Sequence, residues 1–246
     1  MPKILTFLPL LSIILTLEAL GYIHLLPRLF LVTPSEIILS SAQIWNENKL
    51  PKDLWTTFFK TLIGLGLGSL FGITTGLIIG INLNLQKILF PYIDFLRSIL
   101  VVALYSIFIL LLGINDNAKI ATIVWGVTFI MALNTFYGVV YISKVRQATI
   151  QILKLDLLTK ILKVIIPVTL PSIISGLRTS ASYALVLSIV SEMFLGSGSG
   201  IGKRILDSQL SYEIPTLYFY IILSGIVGYG LNRVLVRVEK KAIFWV

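Results

Sequence analysis

Two carboxylates placed in apolar surroundings are the most chemically informative residues of this sequence. Glu18 lies within "LTLEALGY" and Glu192 within "SIVSEMFLG". A carboxylate inside hydrocarbon is costly, so it usually faces a water-filled cavity or a polar partner. Each acid therefore has two interpretations. It either lines a transport pathway or anchors a helix end through Lys203, Arg204 or backbone amides.

Small polar residues accompany these acids. Hydroxyl side chains give the segment that leads to Glu192 a polar face, and such groups either line a pathway or bond back to their own helix. Asn134 lies in the middle of another apolar run, where an amide often joins neighbouring helices. The polar face consists of Thr179, Ser180, Ser182, Ser188 and Ser191. The candidate pathway residues are Ser188, Ser191, Glu192, Asn134 and Glu18.

The sequence contains no set of residues typical of catalysis or metal binding. It has no Cys and a single His, His24. Neither a His-x-x-x-His pair nor a Gly-x-Ser-x-Gly motif occurs, and no Gly-x-x-x-x-Gly-Lys-Ser/Thr loop is present to hold ATP phosphates. We therefore expect no catalytic residue, no metal and no cofactor. If ATP drives this protein, another chain hydrolyses it.

The composition indicates an all-α integral membrane protein. Hydrophobic residues make up 57% of the 246 residues and charged residues only 13%, whereas soluble domains carry about 25% charged residues. The net charge of +9 fits Lys and Arg gathered on cytoplasmic loops rather than a nucleic-acid site. We therefore expect contact with membrane lipid and none with nucleic acid.

Six membrane spans are predicted within a single domain, residues 1–246. A span requires about 20 apolar residues as helix. With the N-terminus in the cytoplasm, 13 of the 20 Lys and Arg residues fall on the inner side. This bias predicts that both termini are cytoplasmic. No clear small-residue cleavage site follows the first apolar run, so we expect the first span to stay uncleaved. The predicted spans lie at about 4–26, 56–81, 90–112, 118–142, 168–195 and 214–236.

The second span has a glycine at every fourth position. At helical spacing these glycines form one smooth stripe, which permits close approach of another helix. The stripe predicts tight helix packing and says little about chemistry. Its members are Gly64, Gly68, Gly72, Gly76 and Gly80.

The loop between the fourth and fifth spans, residues 143–167, is predicted to be cytoplasmic and to contain an amphipathic helix. Four apolar residues share one helical face, namely Ile150, Leu153, Leu157 and Ile161. The charged residues lie largely away from it. Such a helix rests on acidic lipid, packs against its own spans or docks a soluble partner, and the residue pattern leaves all three open.

The segment "VIIPVTLPSIISGLRTSASYALVLSIVSEMFLGSGSGIGKRIL" resembles permease subunits of binding-protein-dependent ABC importers, in the nitrate, sulfonate, taurine and bicarbonate group. The part of the motif that follows the loop is intact as Pro167, Pro171, Ile173, Gly176, Leu177 and Arg178. The preceding part departs from the pattern. Its Glu-Ala-Ala falls on Ala148, Thr149 and Ile150, and its Gly on Lys154.

The resemblance implies a six-helix type I ABC importer permease (MetI-like) fold in the inner membrane, paired with a second permease copy as a homodimer. It implies separate ATP-binding cassette ATPase subunits, an extracytoplasmic substrate-binding protein, and ATP-driven import of a small anion or organic sulfonate by alternating access. In this scheme the 143–167 loop is the coupling helix. Its ATPase-docking residues would be Ile150, Leu153, Lys154, Leu157, Lys160 and Ile161.

Two departures from the family lead to further expectations. The degraded coupling motif leaves open a passive channel or facilitator, or a permease-like subunit with weakened ATPase coupling. In the third span, Leu100 and Ser106 replace the prolines usual in the family. Because proline kinks helices, we expect this span to be straighter. Arg97 and Arg178 are expected at inner span ends, with their side chains reaching the interface.

Overall fold

The protein is helical, as predicted, throughout most of the residues that a computed structural model describes. These are residues 32–46, 49–143, 156–194 and 198–242, with single residues at 12, 15, 16, 18 and 146. We number the helices in chain order within these ranges. They are α1 (Pro34–Asn46), α2 (Lys49–Ile81), α3 (Leu83–Arg97), α4 (Val101–Leu112), α5 (Asp116–Val140), α6 (Ile166–Met193), α7 (Ile201–Leu210) and α8 (Ile214–Ala242).

The glycine stripe of α2 packs against α5, which confirms the prediction of a close helix approach. Gly68 faces Val127 and Gly80 faces Val139, so the two helices run parallel in constant register. A Cβ atom at either glycine would lie 2.7 Å from the valine Cβ, well inside the 3.5–4.0 Å that carbon atoms prefer. Larger residues would therefore push the helices apart.

α5 is the central helix of the core. α6 packs on it in the antiparallel direction, since Gly126 contacts Leu187 and Gly138 contacts Ser172. The buried apolar core is contributed chiefly by α2, α5 and α6. Its members include Leu65, Ile123, Val127, Met131, Ala181, Ala184 and Leu187.

The third predicted span is broken, and the expectation that it would be straighter is wrong. α3 and α4 meet at an angle of 91°. The Ser98 hydroxyl donates to the Asp94 carbonyl at 2.9 Å, and Leu100 then takes an extended conformation with ψ 104°. Side-chain bonding to the backbone competes with helix continuation, so this turn ends α3 without a proline.

α6 continues without interruption from a helical turn, Leu157–Lys160, and a π-helical turn, Ile161–Ile165. In the π turn the N–H of Ile166 donates to the carbonyl of Ile161, five residues earlier. Pro167 follows and has no N–H to give to the carbonyl four residues before it. The sequence thus places a π turn where ordinary helical bonding is already interrupted.

α7 and the first turns of α8 close the end of the bundle opposite Leu157–Ile165. α7 packs through Ile201 and Ile205 onto Tyr220 of α8. Tyr220 is 1% exposed, whereas most of the remaining α8 side chains are partly or fully exposed. α8 therefore covers the bundle on one side and leaves a wide apolar face open to lipid or protein.

The predicted number of six spans is not confirmed. Among the described residues, α2, α5, α6 with its π turn, and α8 are long and apolar enough to cross a membrane, and the bent α3–α4 pair makes up to five. The predicted first span, 4–26, lies outside the described residues except at four single positions. The sixth span therefore remains a prediction.

Candidate functional site

α6 exposes a polar stripe. From Ser175 onward, its exposed residues are Ser175, Arg178, Thr179, Ser182 and Val186. Residues three and four apart lie on one helical face, so these five form a single line. We call the four polar residues the α6 stripe. The other exposed side chains of the membrane-length helices are mainly Leu, Ile, Phe, Val and Tyr, which makes this polar line unusual.

Arg178 is the charged member of the α6 stripe and joins α6 to α8. Its Nε donates to Asn232 Oδ1 at 2.8 Å, and its Nη1 lies 3.6 Å from Glu239 Oε2. The Arg178 side chain is 46% exposed. A guanidinium carries five N–H donors, so this one is held from one side and has donors left for a ligand on the other.

Arg178 lies well inside the bundle. Nearby Gly176 packs against Asn134, which is six residues before the end of α5. At 1.5 Å per residue, that level is about 9 Å from the helix end. Arg178 is two residues further along α6, so its Cα atom lies about 12 Å in. It is also the eighteenth residue of the 33-residue apolar helix Ile161–Met193 rather than a residue at the helix end.

The predicted pathway residues on α5 and α6 lie away from the α6 stripe. Ser188 and Ser191 are buried, and their hydroxyls donate to backbone carbonyls of Thr57 and Ser188 respectively. Asn134 is half-buried, and its Nδ2 donates to the Ile130 carbonyl at 2.8 Å. In this conformation these groups serve helix packing, and their role in a pathway stays a prediction.

Glu192 is fully buried and lies at the N-terminus of α7. Its carboxylate accepts hydrogen bonds from Thr57 Oγ1 at 2.8 Å, Lys60 Nζ at 3.3 Å and the Gly202 N–H at 3.1 Å. A Cβ atom at Gly202 would collide with the Ile189 carbonyl. The end of α6 and the beginning of α7 are thus pressed together around this one acid.

Three amides at the beginning of α7 are capped by side chains from other helices. The Gly200 N–H donates to Asp53 Oδ1 at 2.9 Å, and the Ile201 N–H donates to Thr57 Oγ1 at 3.0 Å, beside the bond from Gly202 to Glu192. Negative charge is favourable at a helix N-terminus. Gly200 has φ 132°, a conformation that favours glycine. We call Asp53, Thr57, Lys60 and Glu192 the α7 anchor.

Charges around the α7 anchor are balanced. Lys60 is 2% exposed and lies 3.1 Å from Asp116 Oδ1, which also contacts Lys119 Nζ at 2.9 Å. Arg204 Nε lies 2.7 Å from Asp53 Oδ2. Burial alone would lower the pKa of Arg204, but the bond and charge of Asp53 outweigh it and the pKa is raised. Each buried charge therefore has an opposite partner, as burial requires.

Glu18 also lies at a helix N-terminus. Its two oxygens accept bonds from the Ser35 hydroxyl at 2.8 Å and the Ser35 N–H at 3.3 Å. Ser35 is in the first turn of α1, where a negative charge is stabilising. Both intramembrane acids singled out by the sequence thus contact the beginnings of short helices.

The sequence pattern of the protein family described as "Binding-protein-dependent transport system inner membrane component" matches residues 68–242. This range is more than half of the chain. The chain belongs to this family. It is therefore a membrane-embedded transport permease subunit.

This permease is similar to proteins that carry related names. The "Putative aliphatic sulfonates transport permease protein SsuC" of Bacillus subtilis is 27% identical over 228 residues, covering 93% of this chain and 82% of that protein. The "Bicarbonate transport system permease protein CmpB" of Synechocystis is 29% identical over 232 residues, covering 91% of this chain and 82% of that protein.

The fold of the permease matches a solved importer. A structure described as an inward-facing conformation of the MetNI methionine ABC transporter superposes with a TM-score of 0.71. The match covers 78% of this chain and 95% of that chain at 17% identity. At this identity the likeness shows the fold alone, and it confirms the predicted MetI-like architecture.

The predicted coupling segment of the permease is described only in part. Lys160 is half-buried. Ile161 packs on a cluster formed by Val139, Ile142 and Ile165, so this position contacts the protein's own helices. Outside the described part of the chain lie the residues Ile150, Leu153 and Lys154 and the side chain of Leu157. The docking role of the segment stays a prediction.

The sequence reasoning missed the α2 contribution to the α7 anchor. Asp53, Thr57 and Lys60 recur at i, i+4 and i+7, the spacing of one helical face. Lys60 interrupts the apolar run "TTFFKTLIG", and the count of Lys and Arg residues places it simply among the cations of the outer side. A polar line at helical spacing inside an apolar stretch was the signal, and it indicates a buried partner.

Proposed function

We propose that this permease is the membrane subunit of an ATP-driven importer for a small oxyanion, of the organic sulfonate, bicarbonate or nitrate type. Two copies would form a homodimer in the inner membrane with both termini in the cytoplasm. Substrate would cross between the copies by alternating access, a change between two packed arrangements that requires no chemical step in this chain.

The α6 stripe is the observation that carries the proposal. A helix that met only lipid would expose apolar side chains, whereas α6 exposes Ser175, Arg178, Thr179 and Ser182. Charged groups inside membrane segments face a bundle interior or a water-filled cavity. A dimer whose copies meet near α6 would enclose this stripe in such a cavity. The cation makes the cavity suited to anions.

The partners follow from the family. Separate ATPase subunits would dock on the 143–167 segment, with Ile150, Leu153, Lys154, Leu157, Lys160 and Ile161 as the contact residues. A substrate-binding protein would deliver the anion to the opposite end of the bundle. The relatives named for aliphatic sulfonates and bicarbonate support an oxyanion, because both substrates present oxygen atoms that share a negative charge.

Reconstitution tests the proposal. The permease, its ATPase and its binding protein are placed in proteoliposomes, and uptake of radiolabelled ethanesulfonate, bicarbonate and nitrate is measured with ATP and with a non-hydrolysable analogue. We expect uptake of at least one of these anions that requires hydrolysis. Equal uptake under both conditions would instead indicate a passive facilitator, and absence of uptake of all three would exclude the proposed substrate class.

A further inference from the structure

The geometry around Arg178 points to an oxyanion site within the permease itself. We infer that the Arg178 guanidinium binds the oxyanion during transport, that Asn232 holds the guanidinium in position, and that Glu239 is an internal anion which the ligand displaces. This inference rests on the proposed function and specifies the part of the pathway at which the anion is recognised.

The contact of Arg178 with Asn232 leaves its terminal donors available to an anion once Glu239 is displaced. The bond from Nε to Asn232 Oδ1, at 2.8 Å, fixes the guanidinium from the α8 side. A planar guanidinium pairs with oxyanions through two parallel N–H donors. With one nitrogen bound to Asn232 and 46% of the side chain exposed, a pair of terminal donors can still face a ligand.

The contact with Glu239 is suited to exchange. Glu239 Oε2 lies 3.6 Å from Arg178 Nη1, and both side chains are partly exposed, at 30% and 46%. Partly exposed ion pairs are weak, so an arriving anion can replace the carboxylate without a large loss. While the site is empty, Glu239 neutralises a cation that would otherwise be uncompensated on a helix position about 12 Å inside the bundle.

The surroundings of Arg178 are polar enough to receive a hydrated anion. Thr179 and Ser182 lie beside it on the exposed side of α6. The Thr179 hydroxyl donates to the Ser175 carbonyl at 3.2 Å, and a hydroxyl oxygen that donates in this way can also accept bonds from water or ligand. Once Glu239 has been displaced, Arg178 attracts the anion and the neighbouring hydroxyls of Thr179 and Ser182 add no charge of their own.

A thiol placed beside Arg178 tests the inference directly. The chain contains no Cys, so in Ser182→Cys the new thiol is the only one in the permease, one helical turn from Arg178. The full chain is reconstituted with its partner subunits and treated with anionic sulfonatoethyl methanethiosulfonate or cationic trimethylammonioethyl methanethiosulfonate. Labelling of the permease is measured by mass spectrometry, and each rate is divided by the rate for a free thiol.

We expect the anionic reagent, itself a sulfonate, to react about tenfold faster than the cationic one, since a focused charge raises local anion concentration at least that much. Adding Arg178→Gln should abolish this preference. Arg233→Gln is the control and should preserve it, because it removes an exposed Arg of α8 that packs on Tyr229 instead. Glu239→Gln should increase the preference, because it removes the competing carboxylate.

Two results would overturn the inference. One is an equal rate for both reagents with and without Arg178. The other is absence of labelling of Ser182→Cys, because the α6 stripe would then be sealed from water. Ile226→Cys, on the exposed apolar side of α8, is the control that we expect to stay unlabelled. Labelling does not depend on uptake. A protein that transports none of the three anions therefore still reports on Arg178, and failure of the proposed function remains distinguishable.

Discussion

Replacement of Glu192 by Gln should weaken the attachment of α7 while leaving the choice of anion unchanged. The carboxylate is fully buried and accepts three hydrogen bonds, from Thr57, Lys60 and the Gly202 amide. Glutamine keeps the shape but loses the charge. Its NH₂ group must also face at least one of these donors, which leaves that donor unsatisfied.

The expected loss of stability follows from these contacts. A hydrogen bond to a charged group contributes about 1.5–3 kcal/mol, and breaking a buried ion pair costs about 3–5 kcal/mol. Lys60 keeps Asp116 at 3.1 Å, so it is not left unpaired, which places the loss at about 2–4 kcal/mol. For a chain of this size, about 2–4 °C per kcal/mol converts this to a melting temperature lowered by roughly 5–15 °C.

Thermal unfolding of the purified permease in detergent measures this loss. Glu213→Gln is the matched control, because Glu213 is an exposed acid at the same end of the bundle, and exposed substitutions usually change stability by less than about 0.5 kcal/mol. The double variant Glu192→Gln, Lys60→Met should lose less stability than the sum of the losses of the two single variants, since the two residues interact.

Two outcomes would refute this reasoning about Glu192. The first is a melting temperature equal to that of the control. The second is a changed ratio of ethanesulfonate to bicarbonate uptake at normal stability, which would mean that Glu192 contacts the transported anion.

Three further predictions concern other parts of the molecule. Gly72→Leu should destabilise the permease by about 1–3 kcal/mol or more through overpacking against α5. Gly66→Leu should not, because a side chain at Gly66 meets open space. Equal yields of folded protein from the two variants would contradict the α2–α5 contact. Leu157→Asp should release the ATPase in detergent, because it removes about 1.5–3 kcal/mol of apolar burial. Lys160→Ala is the milder control. Retention of the ATPase by the Leu157→Asp protein would contradict the docking role. A reporter active only in the cytoplasm, fused at Val246, should be active, and an inactive fusion would reverse the predicted orientation.

The sequence predicted helix packing better than helix direction and breaks. Glycines at every fourth residue indicated that another helix approaches α2, and Gly68 and Gly80 do meet valines of α5. The spacing of the glycines did not indicate that the partner helix is α5 or that α5 runs parallel to α2. The break between α3 and α4 was missed because proline was the signal sought, whereas Ser98 and Leu100 end the helix through local bonding and backbone conformation.

Charged residues were the hardest to assign from the sequence alone. The charge count places Lys60 on the outer side and Arg178 at an inner span end, because it treats every cation near a boundary as solvated. Their positions depend on partners far away in sequence, Glu192 for Lys60 and Asn232 for Arg178. Long-range pairing of this kind leaves no periodic pattern within either segment.

The π turn at Ile161–Ile165 sets the rotational phase between the segment before it and α6. Each residue of an α-helix advances the side-chain direction by about 100°, and a π turn accommodates one residue more than an α turn. Return of Ile161–Ile165 to ordinary α winding at unchanged length would turn Leu157–Lys160 by about a quarter of a revolution relative to α6, whereas loss of the extra residue together with the π turn would leave the phase nearly unchanged. The orientation of Leu157–Lys160, which belongs to the segment expected to receive the ATPase stroke, therefore depends on retention of the π turn.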